Sequence, residues 1–124
     1  MNEKFDDGEF LLRAVLPANR RPDFWKRNGK LSSAALKDKN GLSVDRTYDR
    51  TIEDAAATMR LNLHGTIASI SVPSCNEVHA FLSYCPSARN RYHSEIHGSK
   101  TKILLSDEQA FLLAQKATLL KEDV

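Results

Sequence analysis

The chain has 124 residues, of which 41% are hydrophobic and 27% charged, and its formal net charge is +2 at pH 7. This length fits one compact domain, and the apolar fraction suffices for one core, which excludes two large domains and a chain disordered throughout. No apolar run approaches the roughly 20 residues of a membrane helix, and the polar start MNEKFDDGEF lacks the apolar stretch of a secretory signal, so we expect a cytoplasmic protein without a membrane partner.

The first half of the chain predicts two strands joined by a basic loop. Residues 1–8 are polar and acidic, and we expect a flexible leader there, followed by a single domain over 9–124. The apolar run 9–16 predicts a buried strand, and the alternating residues 41–46 predict a half-buried one. Residues 31–38, which lie between them, fit either a short strand or a helical turn.

A change of pattern after residue 50 predicts a helix and then further strands. Thr51 is a typical helix cap, and the acidic residues of the next turn favour a helix that continues through Met59. Residues with a preference for β-structure follow it. They predict strands over 61–72, 78–85 and 92–98, while residues 101–105 either continue the sheet or cap it.

The end of the chain predicts a second helix. Ser106 and Gln109 have the spacing of a capping box, and the apolar residues behind them recur at helical intervals as far as about Lys121. Together the elements predict an α+β fold, with a small mixed or antiparallel sheet and two packed helices in a single domain.

The basic residues are concentrated early in the chain. Residues 13–50 hold ten basic and four acidic side chains, a local balance of +6, whereas the rest of the chain has a balance of −4. Such a face attracts phosphate groups or other anions, although a solvated surface has the same composition. The loop 17–30 also interleaves basic and aromatic residues, as proteins that clamp a nucleic-acid backbone do, while a lone loop tryptophan is equally typical of a core anchor. The predicted ligand-binding residues are Arg20, Arg21, Trp25, Lys26, Arg27, Lys30 and Arg46.

A second group of polar residues predicts a catalytic cleft. His93, Glu95 and His97 would share one face of a strand, where they could form an acid–base or metal cluster or simply a solvated surface. Arg13 interrupts an apolar strand, so its guanidinium must find a partner. The predicted catalytic residues are Arg13, Ser43, Asp45, His93 and Glu95. We assign neither a metal site nor a cofactor from the sequence.

The two cysteines, Cys75 and Cys85, are nine residues apart, a spacing that matches no zinc or redox motif. We expect reduced thiols that pack as small hydrophobic side chains. A disulfide across a hairpin is the alternative.

Several segments resemble a set of small uncharacterised bacterial proteins. The shared pattern is L-x-R, then S-S-A-x-x-K-D, then S-V-D-R, then H-x-E-I-x-G, and it covers most of the chain. On this chain it matches Arg13, Ser32, Ser33, Lys37, Asp38, Ser43, Asp45, Arg46, His93 and Glu95. The resemblance implies no activity.

The order of elements also resembles RES-type toxins, which share the ADP-ribosyltransferase fold and degrade NAD. The resemblance implies that Arg13 and Lys30 would hold the pyrophosphate of NAD and that Glu53 would stabilise an oxocarbenium-like ribose. Separately, the tripeptides that begin at His64 and His97 resemble the H-x-[ST] pairs of two-histidine phosphoesterases.

Three functional hypotheses follow. The first is an accessory or interaction domain whose basic 13–50 face binds a nucleic acid, another phosphate-bearing ligand or a protein. The second is an NAD-directed transferase or hydrolase of RES type, a toxin or effector. The third is a histidine-based phosphoesterase or nuclease.

Overall fold

A six-stranded antiparallel sheet organises the protein in the computed structural model, which describes residues 3–121. The strands are β1 (Phe10–Val15), β2 (Leu42–Arg46), β3 (Thr66–Ser71), β4 (Phe81–Tyr84), β5 (His93–His97) and β6 (Thr118–Leu120). The helices are α1 (Ile52–Asn62), α2 (Val72–Glu77) and α3 (Asp107–Lys116), with 3-10 turns at Pro22–Phe24 and Ser33–Leu36. The strand order is β4-β5-β2-β1-β3-β6, and the predicted α+β class is confirmed.

The two faces of the sheet carry two separate apolar clusters. On one face, which we name the α3 face, Leu11 and Ile70 pack with residues of α2, α3 and the Ser33–Leu36 turn. On the other, the α1 face, Leu12 and Ile67 pack beneath α1. Complete burial of a leucine or isoleucine stabilises the fold by about 1.5–3 kcal/mol, so both faces contribute to the core.

The two predicted helix starts are confirmed in atomic detail. The Thr51 side chain accepts a hydrogen bond from the Asp54 amide at 3.1 Å. Ser106 and Gln109 form the full capping box, with reciprocal side-chain bonds to each other's amides of 3.1 and 2.9 Å. These bonds satisfy amide groups that have no partner within the helix.

One helix was not expected. Residues 72–77 form α2, a segment that the sequence pattern assigned to the end of one strand and to a loop. Ser71 caps this helix by accepting from the Ser74 amide, and Pro73 occupies its first turn, where the missing amide hydrogen costs nothing. The expectation of two packed helices is therefore corrected to three.

Near the end of the chain, the predicted continuation of the sheet over 101–105 and the predicted end of the last helix were wrong. Residues 101–105 form no strand, because the Ser99 side chain accepts hydrogen bonds from two following amides and closes a turn. Helix α3 ends at Lys116, short of the predicted Lys121. The chain turns extended at Ala117, and β6 then pairs with β3.

The predicted leader contacts a buried ion pair. Arg46 and Glu9 are 0% and 3% exposed and form two hydrogen bonds of 2.7 Å. The Lys4 carbonyl accepts from Arg46 at 3.2 Å, and the Phe5 ring lies 4.1 Å from its guanidinium. Residues 4 and 5 are thus attached to the domain. Residues 1–2 of the leader and 122–124 of the predicted domain lie outside the described residues.

No helix in the described part of the chain is both long and apolar enough to cross a membrane.

Candidate functional site

Four of the predicted catalytic residues share one face of the sheet. Asp45 pairs with His93, and Ser43 with Glu95, in the register of β2 and β5. Residues directly opposite each other on antiparallel strands point to the same side. Leu12 of β1 lies opposite Asp45 and belongs to the cluster beneath α1. All four polar residues are therefore on the α1 face.

A groove of about 950 Å³ runs along this face between α1 and strands β2 and β5. We name it the arginine groove. Its volume is within the range of small-molecule sites, about 300–1,000 Å³. Its apolar lining includes Leu12, Ala14, Met59 and Leu63, and its polar lining includes Arg13, Ser43, Asp45, Arg50, Arg89, Asn90, Arg91, Tyr92 and His93.

Arg13 reaches the groove from β1. The pairing of β1 with β2 ends after Leu12, and beyond it Nη1 of Arg13 donates to the Ser43 carbonyl at 3.2 Å. Burial lowers the pKa of Arg13 from its ordinary value, and the negative charge of Asp38 partly offsets this. Its Nε is buried and makes no hydrogen bond to any described residue. Arg13 thus places a half-buried cation at the edge of the groove.

Two further arginines contact the ring of Tyr92 at the groove. The Arg50 guanidinium lies 3.6 Å, and that of Arg91 5.1 Å, from the centre of the Tyr92 ring. Asp49 accepts from the Tyr92 hydroxyl at 2.9 Å and from Arg91 at 3.3 Å. Burial lowers the pKa of Arg50, and its Nε, like that of Arg13, is buried without a partner among residues 3–121.

Positive charge predominates in the groove. Arg13, Arg50, Arg89 and Arg91 line it together with one carboxylate, that of Asp45. Asn90 donates to this carboxylate at 2.9 Å. Arg50, Arg89 and Arg91 were not among the predicted site residues, although the sequence SARNR at 87–91 contains two of them.

The predicted basic loop lies elsewhere. Its six ligand-binding candidates do not line the arginine groove. Arg21 pairs with Asp23 at 2.9 Å and lies 3.9 Å from the Phe24 ring, and the Trp25 indole donates to the Leu16 carbonyl at 2.8 Å. Arg20, Lys26, Arg27 and Lys30 are exposed. Arg46, the seventh candidate, is enclosed in its ion pair with Glu9 and bridges the leader to β2.

A second polar cluster lies beside the groove on the same face. The ligating atoms of Cys85, His93 and Glu95 all lie within 4.8 Å of one another, and the three residues are half-buried. Cys85 Sγ is 3.5 Å from His93 Nδ1, which also contacts the Cys85 carbonyl at 3.0 Å. His97 Nε2 lies 2.7 Å from Glu95 Oε1. Sequence spacing did not reveal Cys85, because β-sheet pairing brings it to the histidine.

The two cysteines are free, as expected. Cys75 is fully buried in the core of the α3 face, and burial raises its pKa to about 12. Burial and the charge of Glu95 raise the pKa of Cys85 as well.

No protein-family model matches the chain, and no curated protein or solved structure is detectably similar to it.

Proposed function

We propose that this protein is a binding domain for a phosphate-bearing ligand of nucleotide size, and that the arginine groove holds the ligand. The observation that carries the proposal is the placement of four arginines against one carboxylate in a groove of about 950 Å³. The same groove contains four of the residues predicted as catalytic, Arg13, Ser43, Asp45 and His93.

The chemistry of these arginines supports phosphate recognition. A guanidinium keeps its charge at neutral pH and offers several donors that match phosphate oxygens. Arg13 and Arg50 are both partly desolvated. A charge removed from water is stabilised by an opposite charge, so these residues favour an anion nearby.

The arginine contacts of the Tyr92 ring affect which part of a ligand the groove can recognise. Guanidinium groups lie 3.6 and 5.1 Å from the centre of its ring. These contacts compete with the stacking of a base on this ring. We therefore assign the recognition to phosphate rather than to a particular base, and we expect mononucleotides with different bases to bind with similar affinity.

Calorimetric titration with inorganic phosphate, nucleoside monophosphates and nucleoside triphosphates tests the proposal. We expect affinity to rise with the number of phosphates. Arg89 is exposed and lines the groove, so Arg89→Gln removes a charge without removing a packed side chain. A hydrogen bond to a charged group is worth about 1.5–3 kcal/mol, which corresponds to roughly a 10- to 100-fold loss of affinity.

The matched control is Arg20→Gln, which removes an equally exposed arginine from the basic loop. The proposal predicts no change of affinity for this variant. If Arg20→Gln weakens binding and Arg89→Gln does not, the basic loop is the binding surface. If no phosphate compound binds, the proposal is wrong. If single-stranded RNA binds and mononucleotides do not, the ligand of the groove is a nucleic acid rather than a small molecule.

The residues implied by the two enzymatic resemblances do not lie together. Glu53 lines a different groove, between α1 and β6, whereas Arg13 lines the arginine groove, so the residues for NAD chemistry do not share one groove. His64 precedes β3 and His97 ends β5, and these strands are separated by β2 and β1. At about 4.8 Å per strand the two histidines belong to strands roughly 14 Å apart.

A further inference from the structure

The cluster of Cys85, His93 and Glu95 has the composition of a transition-metal site. Thiolate, imidazole and carboxylate groups are the three side-chain ligands that zinc uses in proteins. The ligand atoms lie within 4.8 Å of one another. Around a tetrahedral zinc ion with bonds of about 2.0–2.3 Å, neighbouring ligand atoms are separated by roughly 3.3–3.8 Å. Cys85 Sγ lies 3.5 Å from His93 Nδ1, within this range. A ring nitrogen that binds a metal carries no proton, so Nδ1 must give up its hydrogen bond to the Cys85 carbonyl, 3.0 Å away, when the ion binds.

Two neighbouring residues hold Glu95 in position. His97 Nε2 contacts Glu95 Oε1 at 2.7 Å, which leaves the second carboxylate oxygen for another partner. Gly41 lies against the same carboxylate, since a methyl group at this glycine would be 2.3 Å from Oε1. The Glu95 carboxylate thus lies between the glycine and the histidine. Hydrogen-bonded partners of this kind orient the ligands of metal sites.

The charges at this cluster favour a bound cation. The Cys85 thiol and the Glu95 carboxylate lie together, and both are negatively charged when they bind a metal. A divalent cation binds both groups and offsets their repulsion, and the thiol proton is released to solvent when the metal binds. We propose that Cys85, His93 and Glu95 bind a zinc-type divalent ion through three side chains, with His97 as the positioning residue of Glu95.

This site is distinct from the proposed phosphate site, although His93 lines both. Three protein ligands leave a fourth tetrahedral position for water or an exogenous ligand, the arrangement of zinc sites that perform chemistry. The proposal does not depend on phosphate binding, because its test uses the metal alone.

Titration of the reduced, chelator-treated protein with Co²⁺ tests the site. We expect saturation at one equivalent, visible absorption of tetrahedral cobalt, a near-ultraviolet sulfur-to-cobalt charge-transfer band, and loss of both on addition of Zn²⁺. Cys85→Ser should abolish the charge-transfer band. Absence of stoichiometric binding, or an unchanged band in Cys85→Ser, would overturn the proposal.

Substitutions of the histidines distinguish the residue that binds the metal from residues that only lie near it. His97→Gln should weaken Zn²⁺ binding by roughly 10- to 100-fold, as loss of an orienting partner does, and His93→Gln should weaken it further. His64→Gln, an exposed histidine before β3, is the control and should bind as the wild type does. Equal affinities of all three variants would contradict the assignment.

A measurement on the wild-type protein covers the case in which a variant fails to fold. Zn²⁺ should slow alkylation of Cys85 by iodoacetamide at least tenfold, and peptide mass spectrometry identifies the modified residue. An unaltered rate at saturating Zn²⁺ would overturn the proposal without any substitution.

Discussion

The guanidinium of Arg50 lies 3.6 Å from the centre of the Tyr92 ring, and this contact joins the two loops that border the arginine groove. Arg50 lies between β2 and α1, and Tyr92 directly precedes β5. Arg50 also donates to the Arg46 carbonyl at 3.1 Å, and Tyr92 donates to Asp49 at 2.9 Å. The groove is therefore held by contacts between side chains that are distant in sequence.

Loss of the Tyr92 ring should loosen the groove. A contact between a cation and an aromatic ring contributes about 0.5–2 kcal/mol. We expect Tyr92→Ala to lower the free energy of unfolding by at least this amount and to weaken phosphate binding. Tyr92→Phe keeps the ring and removes only the bond to Asp49, so it should retain most of the binding. Urea unfolding measures the loss of stability, and calorimetry measures the loss of phosphate affinity. Equal losses in Tyr92→Ala and Tyr92→Phe would assign both effects to the hydroxyl group rather than to the ring.

The buried pair of Arg46 and Glu9 should dominate the electrostatic contribution to stability. Glu9→Gln leaves a fully buried guanidinium without its counter-charge, and removing one partner of such a pair costs about 3–5 kcal/mol. Asp23→Asn, which breaks an exposed pair with Arg21, is the control and should cost less than about 1 kcal/mol. Urea unfolding curves compare the variants. Similar midpoints would show that the buried pair is dispensable.

The capping box of α3 should contribute to the stability of the protein. Ser106→Ala removes the acceptor of the Gln109 amide and should lower the free energy of unfolding by about 1 kcal/mol. Gln115→Ala changes an exposed position in the same helix and should be neutral or slightly stabilising, because alanine is the better helix former. Thermal unfolding followed by circular dichroism distinguishes them. Equal melting temperatures of Ser106→Ala and the wild type would be inconsistent with the cap.

The two thiols should differ in reactivity. Burial raises the pKa of Cys75 to about 12, so at pH 8 almost none of this thiol is ionised. Cys85 is half-buried and should be alkylated first, whereas Cys75 should react only when the protein unfolds. Timed labelling of the metal-free protein, with and without urea, followed by mass spectrometry measures both rates. Faster labelling of Cys75 in the native state would contradict its burial.

Local sequence patterns anticipated the elements whose signals are local. The alternation in LSVDR predicts β2, and the caps at Thr51 and Ser106 predict the starts of α1 and α3. Helix α2 was missed because Pro73 was interpreted as the end of a strand. In S-V-P-S the proline instead follows a serine cap, an arrangement typical of a helix start.

The site depends on contacts that no local pattern contains. Arg46 lies on the same buried face of β2 as Leu42 and Val44. Its partner Glu9 is 37 residues away. Arg50, Arg89 and Arg91 meet at one groove because β2 pairs with β5, and this pairing is a property of the whole sheet. The shared face of His93 and Glu95 could be predicted from strand geometry, but the position of Asp45 opposite His93 could not.

Residue-by-residue mapping of phosphate binding by NMR tests the central claim most directly. Titration of isotopically labelled protein with a nucleoside triphosphate should shift the backbone amides of the arginine groove, above all those of residues 43–45 and 89–93. The amides of the basic loop, 17–30, should remain unchanged, since this loop does not line the groove. Shifts confined to the basic loop, or none at saturating ligand, would contradict the account.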